Sequence, residues 1–92
     1  MDKLKHRHSQ LMTRVKEGEI YNLRENVEFD FNAFACGKLR FKNGKKITFR
    51  ADFCYNERPN GNLVIEAIKS HHELYQIKLA LMLNDGYTVK EF

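Results

Sequence analysis

A chain of 92 residues encloses a single hydrophobic core, which makes 1–92 one domain and leaves no room for a separate cofactor-binding unit. Apolar residues make up 42% of the chain, enough to fold against a charged fraction of 30% and to exclude a disordered linker. The net charge is +4, no apolar run approaches bilayer length, and the start is basic and polar; neither a membrane span nor a secretory leader is expected, and the compartment predicted is the cytoplasm.

Leu4, Leu11, Met12 and Val15 share one side of a helix, with Lys3, Lys5, Arg7, Arg14 and Lys16 on the rest. Gly18 stands where a C-terminal cap belongs. Ile20 and Leu23 lead into Val27, Phe29 and Phe31, the every-other-residue pattern of a strand with one buried face. Cys36 and Cys54 make neither a disulfide framework nor a zinc set, so both read as reduced thiols.

Asn43-Gly44 lies between two β-prone segments and is a strong two-residue hairpin signal, because both turn positions need positive φ. One strand is expected to run into it and another out. In the outgoing strand Ile47, Phe49, Ala51, Phe53 and Tyr55 point one way and Thr48, Arg50, Asp52 and Cys54 the other, which puts Asp52 on the more polar face. Arg58-Pro59-Asn60-Gly61 is a turn. Leu63 to Lys69 is almost continuously apolar apart from Glu66, as in a central strand covered on both sides.

Ser70-His71-His72-Glu73 has the Ser-x-x-Glu form of a capping box. A second helix follows, apolar at Leu74, Ile77, Leu81, Met82 and Leu83 and ended by Gly86; Tyr87 and Val89 begin a last short strand. Strand, helix and strand in succession make a parallel crossover. The expected fold class is α/β, in the order αβββαβ, with a mixed central sheet flanked by two helices.

Lys38, Arg40, Lys42, Lys45, Lys46 and Arg50 fall in a stretch without an acid. Such a block suits an anionic partner or is simply a solvated hairpin face. His6 and His8, two apart on a helix, do not share a face, and His71 and His72 are adjacent in the cap region, so histidine ligation of a metal is not expected.

Three strings then become informative together. Gly18-Glu19-Ile20 with Asn22-Leu23 resembles a "GEI-x-NL" passage, Arg50-Ala51-Asp52-Phe53 with Tyr55 an "ADF-x-Y" segment, and Gly61 to Lys69 a "G-x-LVVE-D-V-K" strand. Their order and spacing resemble small phage-encoded and transposon-type members of the PD-(D/E)XK nuclease superfamily, over nearly the whole chain. The resemblance implies a restriction-endonuclease-like core, with Asp52 as the first metal-binding acid, Lys69 beside the reacting phosphate, and Lys78 matching a lysine of the phage-type members. It also implies Mg²⁺ or Mn²⁺, which neutralises a scissile phosphate and activates water when held by hard carboxylate oxygens.

Two departures stand out. The family's second acid lies two residues before the lysine, and that position is Ala67. Glu66, one place earlier, projects from the opposite face of a regular strand to Lys69; a bulge would restore convergence, and without one Glu66 is a structural or dimer-facing charge. Helix one, from Lys3 to Lys16, carries no supporting acid. A reduced site using Asp52 and Glu66, an inactive descendant, and an acid replaced by alanine are all compatible with this pattern.

The function expected is a metal-dependent DNA endonuclease acting on branched or distorted DNA, with the basic hairpin, helix one and Lys78 on backbone phosphates. A domain this small covers little duplex, so a homodimer is expected, pairing through the exposed side of the hairpin or the last strand's edge. The alternatives are a DNA-binding protein of nuclease fold without hydrolysis, and a small phage-type protein that binds a host enzyme.

Overall fold

The computed structural model describes residues 2–33 and 37–92, so Cys36 lies outside the described residues. Helix α1 spans Lys3–Lys16. Asp2 caps its start, Oδ1 accepting the Leu4 N–H at 2.9 Å. At its end Gly18, at φ +76°, donates its N–H to Val15 O at 3.1 Å while Glu19 N–H reaches Arg14 O at 3.0 Å. This doubly bonded left-handed cap is one that glycine adopts without strain.

Strands β1 (Ile20–Asp30), β4 (Thr48–Glu57), β5 (Asn62–Ala67) and β6 (Val89–Glu91) form a four-stranded sheet in the order β1-β4-β5-β6. The first two pairings are antiparallel and β5-β6 is parallel. Helix α2 (Glu73–Asn84) makes the crossover between β5 and β6. The chain is therefore a mixed α/β structure with two helices and a mixed sheet. Among the described residues no helix is long and apolar enough to cross a membrane.

The Asn43-Gly44 turn forms, with Gly44 N–H donating to Phe41 O at 2.9 Å and Phe41 N–H to Lys45 O at 2.8 Å. The arm that enters it is not a main-sheet strand. It makes a single bridge, Arg40 to Lys46, after a two-residue pairing of β2 (Asn32–Ala33) with β3 (Gly37–Lys38). Phe41 is exposed and lysine and arginine alternate around it, so little apolar burial rewards a longer ladder. Strand β4 pairs directly with β1 instead.

Two cores lie on the two faces of the sheet. Leu11 of α1 packs with Ile20, Phe53 and Tyr55, joined by Val15, Leu23 and Phe92. Met82 of α2 packs with Phe31, Phe49, Ala51, Cys54, Ile65 and Ala67, joined by Val27, Phe29, Tyr75 and Leu79.

This division corrects the expected alternation in β4. Phe49 and Ala51 join the α2 core, yet Phe53 and Tyr55 join the α1 core and Cys54 the α2 core. The same reversal occurs in β1, where Leu23 faces α1 and Val27 faces α2. Both reverse at one level, because Asn26 falls opposite Asp52 between the pairs Glu25↔Phe53 and Val27↔Ala51. Asn26 has φ +53°, a left-handed conformation that asparagine tolerates and that breaks the pleat of a strand.

In helix α2, Tyr75, Leu79, Leu81 and Met82 face the core, while Leu74, Ile77 and Leu83 are exposed. The helix is apolar on nearly every side, so its periodicity could not select the buried face. Its N-cap is His72, and Ser70 Oγ accepts the His72 N–H at 3.2 Å, so Ser70 organises the entry to the helix rather than a capping box with Glu73. Gly86 does end it as expected, with Tyr87 N–H bonded to Met82 O at 2.9 Å. In β5, only Ile65, Glu66 and Ala67 are buried; Leu63 is exposed because β6 reaches β5 only from Ile65 onward.

Candidate nucleic-acid site around Asp52

The β4-β5 register pairs Phe53 with Glu66 and Cys54 with Ile65. The next residues outward, Asp52 and Ala67, therefore stand opposite each other. Asp52 Oδ2 continues the ladder by accepting the Ile68 N–H at 2.7 Å. Ala67 belongs to the α2 core, and both residues line a cleft of about 370 Å³ between the sheet and α2. Arg50 and Lys78 line the same cleft, with Phe49 and Tyr75 as its aromatic walls.

Glu66 goes the other way. Its pairing with β6 continues regularly into the next residue, Glu66↔Lys90 and Ala67↔Glu91, so no bulge turns it onto the face of Ala67. It points to the α1 face and is fully buried. Arg7 Nε donates to Glu66 Oε1 at 2.7 Å and Arg7 Nη2 to Oε2 at 2.6 Å, and the Tyr55 hydroxyl donates to Oε2. Burial pushes the Glu66 carboxyl up, but the Arg7 fork, the Tyr55 hydroxyl and the Lys90 charge outweigh it and hold the group below its usual range. Burial and the Glu66 carboxylate together push the Tyr55 phenol up to about 12.

Arg14 extends this clasp one heptad along α1. Its Nη1 lies 3.4 Å from Tyr55 Oη, Nη2 is 3.4 Å from Glu57 Oε2, and Nε donates to Glu19 Oε1 at 3.2 Å. Sequence reasoning places Arg7 and Arg14 on the outside of helix one, whereas the structure turns both toward the sheet. The signal was present: Arg7, Leu11 and Arg14 follow helical spacing, and one acid interrupts an apolar strand that needs a cationic partner.

Two further carboxylates approach Asp52's surroundings. Glu91 pairs with Ala67 from β6, on the side of Ala67 away from Asp52, and accepts the Tyr75 hydroxyl at 3.1 Å. Burial, Glu91 and then Asp52 all push the Tyr75 phenol upward, so both acids act on one hydroxyl. On the α1 side, Glu25 and His8 line a depression of about 160 Å³ that also reaches Asp52; His8 Nε2 is 3.9 Å from Glu25 Oε1, and its ring stacks on Phe53.

The remaining expected site residues are dispersed. Lys69 is exposed; its backbone N–H donates to Phe92 O at 2.9 Å, and its side chain is not part of the Asp52 cleft. Lys38, Arg40, Lys42 and Lys45 are exposed along the 37–46 arm. Arg40 Nη1 donates to Gly44 O at 2.8 Å, and Lys46 Nζ lies 3.8 Å from Asp30 Oδ2. The structure thus brings Asp52, Arg50 and Lys78 together, sends Glu66 to the opposite face, and leaves Lys69 and the basic arm outside the cleft.

No protein-family model matches this chain, and no curated protein or solved structure matches it.

Proposed function

We propose that the chain is a DNA-binding domain built on a PD-(D/E)XK nuclease-type, restriction-endonuclease-like core, with the phosphodiester backbone crossing the Asp52 cleft. The observation that supports this reading is the opposition of Asp52 and Ala67 on one face. These are the two strand positions at which the resemblance requires acids, and one of them carries only a methyl group. Arg50 and Lys78 supply cations at the cleft, and Lys38, Lys42 and Lys45 add exposed basic side chains on the arm outside it. Such contacts position a nucleic acid without reading its sequence.

A divalent ion needs hard oxygen donors. Asp52 offers one carboxylate, with one oxygen engaged by the Ile68 N–H; Ala67 offers none, and Glu66 is spent on Arg7 and Tyr55. Among the described residues no three His, Cys, Asp or Glu side chains gather closely enough to hold a metal. With Asp52 bonded to the Ile68 N–H and Glu91 to the Tyr75 hydroxyl, few carboxylate oxygens remain for a resident Mg²⁺ or Mn²⁺, so the reading favoured is binding without hydrolysis.

A second reading, a metal-dependent endonuclease for branched or distorted DNA, is favoured by Glu91, which brings another carboxylate beside Ala67. A homodimer fits either reading, since two clefts would meet two strands.

One assay separates them. Linear, nicked and four-way-junction DNA are incubated with Mg²⁺ or Mn²⁺ and the chain, Asp52→Ala, Glu91→Gln or Ala67→Asp. Binding without cleavage by the unaltered chain is the expected result. Cleavage that Asp52→Ala and Glu91→Gln abolish establishes the endonuclease, and absence of DNA binding at low salt overturns both readings in favour of a protein partner.

A further inference from the structure

On the opposite face of the sheet from the Asp52–Ala67 row, a cleft of about 300 Å³ opens between α1 and the β5-β6 edge. Its floor is the Arg7–Glu66 pair, which is neutral as a unit and has its carboxylate oxygens already taken by Arg7 and Tyr55. That floor neither repels an anion nor offers oxygens to a cation. Lys3 stands on the α1 side and Lys90 on the β6 side. Among the described residues neither is in a salt bridge within 4 Å, so two lysine ammonium groups border the cleft, Lys90 also acting on Glu66.

The remaining lining is specific in kind. Gln10 Oε1 accepts Arg7 Nη1 at 3.1 Å, which orients the amide so that its NH₂, 3.3 Å from His6 Nε2, is turned away from the guanidinium. Phe92 closes one side. It is fixed by its backbone, whose N–H donates to Ala67 O at 3.1 Å and whose carbonyl accepts the Lys69 N–H at 2.9 Å, and its ring packs against Phe53 with centroids 6.0 Å apart. Lysines on two sides of a cleft suit phosphate oxygens, and a held aromatic ring suits the face of a base.

We infer that this α1-side cleft is a second anion site that takes a phosphorylated nucleoside, its phosphate between Lys3 and Lys90 and its base against Phe92. The site does not depend on the Asp52 cleft, and its ligand chemistry is shared by a free mononucleotide and by the phosphorylated end of a DNA strand.

The test is titration of the isotopically labelled chain, in phosphate-free buffer, with dAMP, inorganic phosphate and deoxyadenosine, followed through amide resonances. Saturable dAMP shifts at Lys3, His6, Gln10, Lys90 and Phe92 are expected, with weaker binding of phosphate and none of deoxyadenosine. Lys3→Gln with Lys90→Gln should weaken dAMP about tenfold or more, the loss of roughly 1.4 kcal/mol of charge-assisted contact, while Lys3→Gln alone should weaken it with an unchanged melting temperature because that side chain is exposed. Arg50→Gln with Lys78→Gln should leave dAMP binding unchanged even where it abolishes duplex binding. Competition by a 5′-phosphorylated but not a 5′-hydroxyl oligonucleotide assigns strand ends as the source; competition by neither assigns the free nucleotide. Shifts confined to the Asp52 cleft, shifts that never saturate, or affinity that survives the Lys3/Lys90 double substitution overturn the inference.

Discussion

The Arg7 guanidinium holds both carboxylate oxygens of Glu66, at 2.7 and 2.6 Å, across the interface between α1 and β5. The acid is fully buried, so the pair joins helix to sheet and also removes Glu66 from the face that carries Asp52. Breaking one side of such a pair leaves a buried charge without its counter-ion, whereas replacing both by apolar groups is often neutral.

Arg7→Met should therefore destabilise the fold by about 3–5 kcal/mol. Arg7→Met combined with Glu66→Leu should recover most of that loss. Urea unfolding of the two variants decides the matter: a single substitution as stable as the parent would show that the pair contributes nothing to the fold.

The pH dependence follows from the same cluster. The folded-state pKa of Glu66 is lowered, so its contribution is fully present above the unfolded carboxyl value, about 4.3, and is lost as pH falls through the folded value. The Tyr55 phenol is raised to about 12. Its contribution is complete below the unfolded phenol value, about 10, and disappears as pH rises from there through about 12, because the unfolded state then releases a proton that the folded state keeps. Unfolding free energy measured against pH should decline at both ends, and Glu66→Gln should flatten the acid limb.

Ala67→Asp places a carboxylate opposite Asp52 on a buried position. Without metal it should cost roughly 1–3 kcal/mol, the penalty for an inadequately satisfied buried polar group. Millimolar Mn²⁺ should raise its melting temperature but leave the parent unchanged. A thermal shift of equal size in both proteins would show that the ion binds elsewhere.

DNA affinity should fall steeply with salt. Arg50→Gln and Lys78→Gln should each reduce the slope of log K against log salt by about one. Asp52→Asn should strengthen metal-free binding, since it removes a negative charge from the phosphate path. Anisotropy titrations at several salt concentrations measure all three, and unchanged slopes would remove the Asp52 cleft from the DNA path.

Much of this arrangement is legible in the residues. Gly18 and Gly86 mark both helix ends because their left-handed caps are local events. The simple parity of a strand separates Glu66 from the Ala67 position and so anticipates their opposite faces. What is not legible depends on distant partners. Arg7 and Arg14 look like solvated helix residues until β5 brings Glu66 beneath them, and the apolar surround of α2 conceals which side meets the sheet. The reversal at Asn26 and Asp52 is invisible to a two-residue period because it arises from one left-handed residue in the neighbouring strand.

That reversal makes the β1-β4 ribbon a hinge line between two oily compartments, one under each helix. Side chains on that line belong fully to neither compartment, which is why Asp52 borders depressions on both sides of the sheet. The backbone thus sets one carboxylate where the two depressions approach each other through the sheet, with Glu25 beside it on the α1 side.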